Sequence, residues 1–224
     1  RIAMWSGPRN ISTAMMRAWE NRPDTVVVDE PLYAHFLAET GIAHPGRDEV
    51  IAAGETDWRR AVAGLLAPVE SAIFYQKQMT HHLLPHIDRG WLARVNNCFL
   101  IRDPREVLLS YARKRGDVTV ADVGILQQAE IFDYVRELIG EVPSVLDARD
   151  VLTEPHRVLG ALCQRLGIEF RDEMLAWPPG PRDSDGVWAP HWYDAVNRST
   201  GFQPWQPRKG GLAPAQQAIL DVCQ

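Results

Sequence analysis

The sequence predicts an α/β fold of three layers, with a central parallel β-sheet between two layers of helices. Three observations carry this expectation. Five short apolar runs punctuate the chain: "RIAMW" (1–5), "TVVVD" (25–29), "AIFYQK" (72–77), "NCFLI" (97–101) and "SVLD" (144–147). Segments with apolar residues at helical spacing alternate with them, as parallel pairing requires, because each crossover needs a covering helix. The first run passes through "SGPRNIST" directly into a helical pattern, the joint expected at the carboxyl edge of such a sheet.

Each element has a local reason. Residues 12–20 read as the first helix, with Ser12 or Thr13 near its cap. A second helix is expected over 57–66. Residues 104–114 start with Pro104, whose fixed φ and missing N–H suit a first helical turn, and carry Val107, Leu108 and Tyr111 at helical spacing. Residues 121–139 read as one long amphipathic helix. "TEPHRVLGALCQRLGIEF" (153–170) reads as a helix closed by Gly167.

A chain of 224 residues with 46% hydrophobic content suits one α/β domain. The expected division is an α/β core (1–177), a flap over the site (178–211) and a C-terminal helix (212–224). The flap is rich in Pro, Gly and Trp; its aromatic content argues for order rather than a flexible tail. A net charge of −5 argues against a nucleic-acid partner. No apolar run is long enough for a membrane span. Cys98, Cys163 and Cys223 show neither metal spacing nor a disulfide framework, so a reducing, cytoplasmic setting is expected, with no metal. The chain opens at Arg1 inside an apparent strand, which leads us to expect a few preceding residues. The oligomeric state is not legible.

The turn after the first run points to an anion. A helix N-terminus presents unpaired N–H groups and a partial positive charge. Gly7, Pro8, Arg9, Asn10, Ile11, Ser12 and Thr13 surround that terminus, with Arg9 as the cation. A phosphate-binding Gly-x-x-x-x-Gly-Lys-Ser/Thr loop would add a second Gly and a Lys, both absent here. The alternative is an ordinary joint with a solvated Arg. A second stretch, "NCFLIRDPREVLLSYARK", places Arg102 at a strand end and Ser110 about two helical turns on, so that both reach one external anion. The alternative there is an Arg102 paired with Asp103 or Glu106.

Together these stretches resemble the sulfotransferases that use 3′-phosphoadenosine 5′-phosphosulfate (PAPS). "GPRNISTAMM" is similar to the family's 5′-phosphosulfate loop, and "RDPREVLLSY" to its 3′-phosphate segment. "ARDVLTEPHRVLGALCQRLGIEF" (148–170) resembles a third family segment. Ile11 stands where many members carry Gly. A β-branched residue resists positive φ, so the loop must take a conformation that Ile tolerates, or seat its anion differently. "PRKGG" (207–211) resembles the family's C-terminal Arg-Lys-Gly, without the usual continuation, and implicates Arg208, Lys209 and Gly210 in closing over the 3′-phosphate.

The resemblance implies a P-loop-type fold and transfer of a sulfuryl group from PAPS, as co-substrate, to a hydroxyl or amine of a small-molecule acceptor. Arg9 and Lys77 are the candidate cations for charge developing on the leaving oxygen. The base stays open between two assignments. Glu30, just past the second strand, matches the carboxylate base of the tyrosylprotein-type and bacterial members. "KQMTHHLLP" resembles the Lys-Thr-His-Leu-Pro segment of the cytosolic members with two residues inserted, which offers His81 or His82 instead. Two other functions remain in view: a P-loop small-molecule kinase, and a non-catalytic nucleotide-binding protein on the same fold.

Overall fold

The computed structural model describes residues 1–111 and 118–223. Five strands, β1 (Ile2–Ser6), β2 (Thr25–Asp29), β3 (Ile73–Met79), β4 (Asn96–Ile101) and β5 (Ser144–Asp147), form one sheet in the order β2-β3-β1-β4-β5, every pair parallel. The helices are α1 (Ser12–Glu20), α2 (Tyr33–Thr40), α3 (Arg47–Ala53), α4 (Trp58–Leu66), α5 (Pro104–Tyr111), α6 (Val120–Val123), α7 (Ile125–Ile139), α8 (Ala148–Thr153), α9 (Pro155–Arg165), α10 (Ala189–Trp192), α11 (Asp194–Asn197) and α12 (Pro214–Cys223). Short 3₁₀ turns join several of them.

The layers follow from strand periodicity. Alternate side chains of a strand point to opposite faces. Ile2, Met4, Ile73, Tyr75, Cys98 and Leu100 pack on one face against α1, α8 and α9 through Met15, Trp19, Val151, Leu159 and Leu162. Ala3, Trp5, Phe74 and Phe99 pack on the other against α4 and α7 through Val62, Leu65, Ile131 and Val135. Both faces of the central strands are covered, so β1 reads as a continuous apolar run rather than an alternating one.

This order creates a crevice. After β1 the chain runs by α1 to β2; after β4 it runs the opposite way to β5. The carboxyl ends of β1 and β4 therefore part, the usual place for a ligand in an open α/β sheet. Gln128 of α7 seals the floor, donating from Nε2 to the Trp5 carbonyl (3.0 Å) and the Leu100 carbonyl (2.9 Å).

Several elements depart from the expectation. The helix expected over 121–139 breaks into α6 and α7 at Gly124, whose φ is 71°. Gly124 carries a carbonyl bonded by Thr80 Oγ1 (2.9 Å), and Gly7 packs so close that an added Cβ would lie 2.6 Å from the Val123 carbonyl oxygen. The break lets this corner back the turn after β1. α2, α3 and α8 were not anticipated. They are short, at 8, 7 and 6 residues, and Gly and Pro interrupt the periodicity around the first two. Gly167 sits just past α9 at φ 67° and ends it as a left-handed cap residue. The helix expected over 104–114 is described as far as Tyr111; its last residues lie outside the described ones.

The segment after Trp177 lies on the core. Trp188, Ala189 and Tyr193 pack into Tyr33, Ala34, Leu37 and Val50 of α2 and α3. Arg17, buried in α1, grips Asp185 at 2.7 Å, and Ser184 Oγ donates to Glu20 Oε1 at 2.5 Å. Thus α1, which follows the turn after β1, is tied directly to the segment that covers it. Among the described residues no helix is long and apolar enough to cross a membrane.

Candidate active site

A cavity of about 940 Å³ opens above the carboxyl ends of the central strands. It is lined by the turn 8–13, by Arg102 and Ser110, by Glu30, Lys77, His81 and His82, and by residues from Trp188 to Lys209. The described residues hold two non-glycine positions of positive φ, Arg9 (60°) and Glu30 (43°), and both line this cavity. Such conformations cost of order 1 kcal/mol or more each and persist where the surroundings impose them.

One end is arranged around α1. Its N-cap is Ile11, and no side chain caps it; neither Ser12 nor Thr13 fills that role. The Ser12 N–H turns back to the Asn10 carbonyl, while the N–H groups of Thr13 and Ala14 stay at the cavity wall. Ile11 itself has φ −7° and stays out of the left-handed region; the positive φ falls on Arg9 instead.

Asn10 anchors the turn by donating from Nδ2 to the Leu100 carbonyl, and its buried Oδ1 is left without a partner. Arg9 Nε donates to Ser110 Oγ at 3.0 Å. Arg102 Nη1 donates to the Arg9 carbonyl at 3.0 Å, while its Nε and Nη2 donate to Glu106 Oε2 at 3.1 and 2.9 Å. The two stretches of sequence thus meet: Arg9, Arg102 and Ser110 form one cluster, and Arg102 also makes the pairing with Glu106 that its spacing allowed. Burial lowers the Arg9 guanidinium below its ordinary value, but a guanidinium stays charged at any physiological pH. Gly7 is absent from the lining; its place is the tight contact behind the turn. Arg208 and Lys209 line the mouth, and Gly210 (φ 139°) accepts from Arg105 Nη2 at 2.8 Å.

The other end is a buried ion cluster. Sequence reading ended the third strand at Lys77, whereas β3 continues to Met79 and buries Lys77 completely. Lys77 pairs in register with Asp29 of β2. Neighbours in parallel register share a face, so the ammonium meets the carboxylate at 2.8 Å. Strict alternation would send Glu30 to the opposite face. Its positive φ turns it back, and Lys77 Nζ also donates to Glu30 Oε1 at 2.6 Å. A third bond runs from Nζ to the Tyr193 hydroxyl at 2.7 Å. Tyr193 in turn donates to Asp29 Oδ2 at 2.6 Å and accepts from Trp188 Nε1 at 3.2 Å. Asp29, Trp188 and Tyr193 were missed as site residues.

Burial sets the protonation here. Burial raises the Glu30 carboxyl, and the neighbouring Asp29 charge adds to that, against the pull of Lys77. Burial would lower Lys77, but Asp29 and Glu30 outweigh it and hold the ammonium well above its ordinary value. His81 and His82 sit beside this cluster. His82 stacks on Tyr33 at 4.6 Å and lies 4.3 Å from the His81 ring. Burial lowers His81 to about 4 and His82 well below its ordinary value, so both are neutral near pH 7. His82 Nδ1 is 3.9 Å from Glu30 Oε2, beyond hydrogen-bond reach. Among the described residues no group of three or more His, Cys, Asp or Glu side chains is placed to hold a metal ion.

The chain is similar to several known proteins. Two Arabidopsis thaliana proteins are similar in sequence. Branched-chain-amino-acid aminotransferase-like protein 1 is 36% identical over 209 residues, 93% of this chain and 37% of that protein. Branched-chain-amino-acid aminotransferase-like protein 2 is 33% identical over 223 residues, 99% of this chain and 40% of that protein. The chain therefore spans about two fifths of the length of these curated relatives. Among solved structures, the sulfotransferase domain from the Synechococcus PCC 7002 olefin synthase superposes with a TM-score of 0.59 at 16% identity, over 99% of this chain and 93% of that one. The sulfotransferase domain from the curacin biosynthetic pathway gives 0.56 at 17%, over 99% and 96%. At such identities the likeness speaks for the fold. The family model described as a sulfotransferase domain matches residues 1–216, nearly the whole chain, and the chain belongs to the sulfotransferase family.

Proposed function

We propose that the protein transfers a sulfuryl group from PAPS to a hydroxyl or amine of a small-molecule acceptor. The observation that carries this reading is the two-ended cavity, with an uncapped helix N-terminus and two arginines at one end and a carboxylate raised by burial at the other. PAPS supplies an activated sulfuryl group attached to a phosphate. The residues fit such an anionic co-substrate: the α1 N–H groups and Arg9 suit its 5′ end, and Arg102 with Ser110 suits its 3′-phosphate. Arg208, Lys209 and Gly210 would close the mouth over that phosphate.

The chain's own groups then divide the work. Glu30 takes the acceptor's proton: its raised carboxyl and its Oε2, which accepts no hydrogen bond among the described residues, suit a base. The neutral histidines are poorer bases with their protonation so depressed, and they suit the acceptor wall beside Tyr33. Lys77 and Arg9 offset charge that develops on the leaving oxygen.

The test is calorimetry with a nucleotide panel. The expected result is binding of 3′-phosphoadenosine 5′-phosphate in clear preference to ATP with Mg²⁺. The opposite preference would favour the small-molecule kinase, and binding without turnover across a broad acceptor panel would favour a non-catalytic nucleotide-binding protein.

A further inference from the structure

The Lys77 cluster contains more than a base and a cation. An ammonium has three N–H donors and no acceptor. All three of Lys77 are engaged, by Asp29 Oδ1, Glu30 Oε1 and the Tyr193 hydroxyl. As it stands, Lys77 therefore has no donor to spare for a ligand.

The three partners are not equivalent. Asp29 lies outside the cavity lining and is locked: its Oδ1 takes Lys77, and its Oδ2 takes the Tyr193 hydroxyl and the Gly186 N–H (3.2 Å). The Tyr193 hydroxyl is saturated, with one bond donated and two accepted. Glu30 lines the cavity, is the most exposed of the three at 12%, and bonds through one oxygen only. Burial, with the Asp29 charge beside it, favours a proton on Glu30.

We propose that Asp29 and Tyr193 are positioning residues that hold two of the Lys77 N–H groups permanently, and that the third is an exchangeable bond. Glu30 gives up this bond to a ligand's 5′-phosphate oxygen when it gains a proton. The proposal rests on the reading under Proposed function. The proton leaves the acceptor's hydroxyl or amine, its bonding pair stays on that heteroatom, and an O–H bond forms at Glu30 Oε2. Lys77 keeps all three of its protons; only its hydrogen-bond partner changes. Base action and cation delivery thus become one event. Tyr193 belongs to the segment covering the cavity, so that segment sets the direction in which the cation swings.

The glutamine amide is a neutral stand-in for protonated Glu30. Calorimetry with 3′-phosphoadenosine 5′-phosphate, on the wild type, Glu30→Gln, Lys77→Met and the double variant, reads the handover. Glu30→Gln is expected to bind about tenfold more tightly than the wild type, the size of one charge-assisted hydrogen bond, and the gain is expected to vanish in the Lys77→Met background. An equal gain in both backgrounds would show general charge repulsion and overturn the handover, as would no gain at all. Absence of binding by the wild type would overturn the reading under Proposed function and the handover with it.

The holding role has its own readout in the unliganded protein, proton exchange of the Lys77 ammonium followed by ¹⁵N NMR and assigned with Lys77→Met. Exchange should quicken on the order of tenfold in Asp29→Ala and in Tyr193→Phe, since each removes the oxygen that accepts one N–H of Lys77. Unchanged exchange in two variants that keep the wild-type fold by circular dichroism would overturn the positioning role. Should one variant fail to fold, the other decides.

Discussion

The anion-facing end of the cavity takes its working atoms from two short stretches, 8–13 and 102–110, whereas the acid–base end draws on Asp29 and Glu30, on Lys77, and on Tyr193, 116 residues beyond Lys77. The first end is a local device. A strand, a turn and a helix N-terminus produce it, and its cations are guanidinium groups that do not titrate. The second is a tertiary device. It exists once β2 and β3 pair in register and the segment after Trp177 covers them, and the Glu30 carboxyl and the two imidazoles respond to burial. The anion end is built to hold, and the other end is built to change protonation. Substitutions at the two ends should accordingly fail in different ways.

The largest effect is expected at Glu30. Glu30→Gln keeps the shape of the side chain but cannot take a proton at neutral pH. Turnover should fall about 10²–10⁴-fold, the usual contribution of a positioned base, while nucleotide binding survives and tightens by about the tenfold of one charge-assisted hydrogen bond. His81→Asn and His82→Asn should act mainly on acceptor affinity. The rate with a surrogate acceptor and the affinity for 3′-phosphoadenosine 5′-phosphate, measured in parallel, check this. Normal turnover by Glu30→Gln alongside a dead histidine variant would move the base to His81 or His82.

A smaller and opposite signature is expected at the anion end. Arg102→Ala removes a charge-assisted contact to a phosphate and should cost about 2 to 4 kcal/mol in binding. The loss should be far smaller for a nucleotide without the 3′-phosphate. Comparing adenosine 3′,5′-bisphosphate with adenosine 5′-phosphate checks this. Equal losses would mean that Arg102 acts through Glu106 and the Arg9 carbonyl, which it also holds.

The same contrast explains what could be read from the sequence. The sheet, its strands and the anion end were legible because each depends on residues close together in the chain. Lys77, expected as a candidate cation at a strand end, lines the cavity from inside β3 instead. The run Gln76-Lys77-Gln78 is polar and reads as an exit from the sheet. In the structure each of the three is buried, Gln76 donating to the Leu65 carbonyl and Lys77 meeting its carboxylates. A polar run inside a covered strand is a signal of internal pairing, and it was there to be used. Tyr193 had no such signal, since no local period marks the hydroxyl that a segment will carry across to β2. The break at Gly124 was visible as a glycine, but its cause is contact with Gly7 and Thr80 from other parts of the chain.

The smallest expected effect concerns acid. His81 is held to about 4 by burial first and by His44 second, whereas an unfolded histidine titrates near 6.5. Between these values the unfolded chain binds the proton and the folded chain does not. Stability therefore falls as the pH drops from about 6.5 towards 4, and is fully present above that window. Glu30, raised by burial, works in the opposite direction, because there the folded state is the better proton binder. A comparison that keeps Glu30 in both proteins isolates the histidine. The wild type should lose about 4–8 °C more in Tm between pH 7 and pH 5 than His81→Gln does, the shift that about 2 kcal/mol produces in a chain of this size. Ser110→Ala, which changes no charged group at the anion end, should leave the slope of Tm against pH as it is in the wild type. Equal slopes for the wild type and His81→Gln would mean that the imidazole is hydrated rather than buried, and the distinction between a holding end and a titrating end would then rest on Glu30 alone.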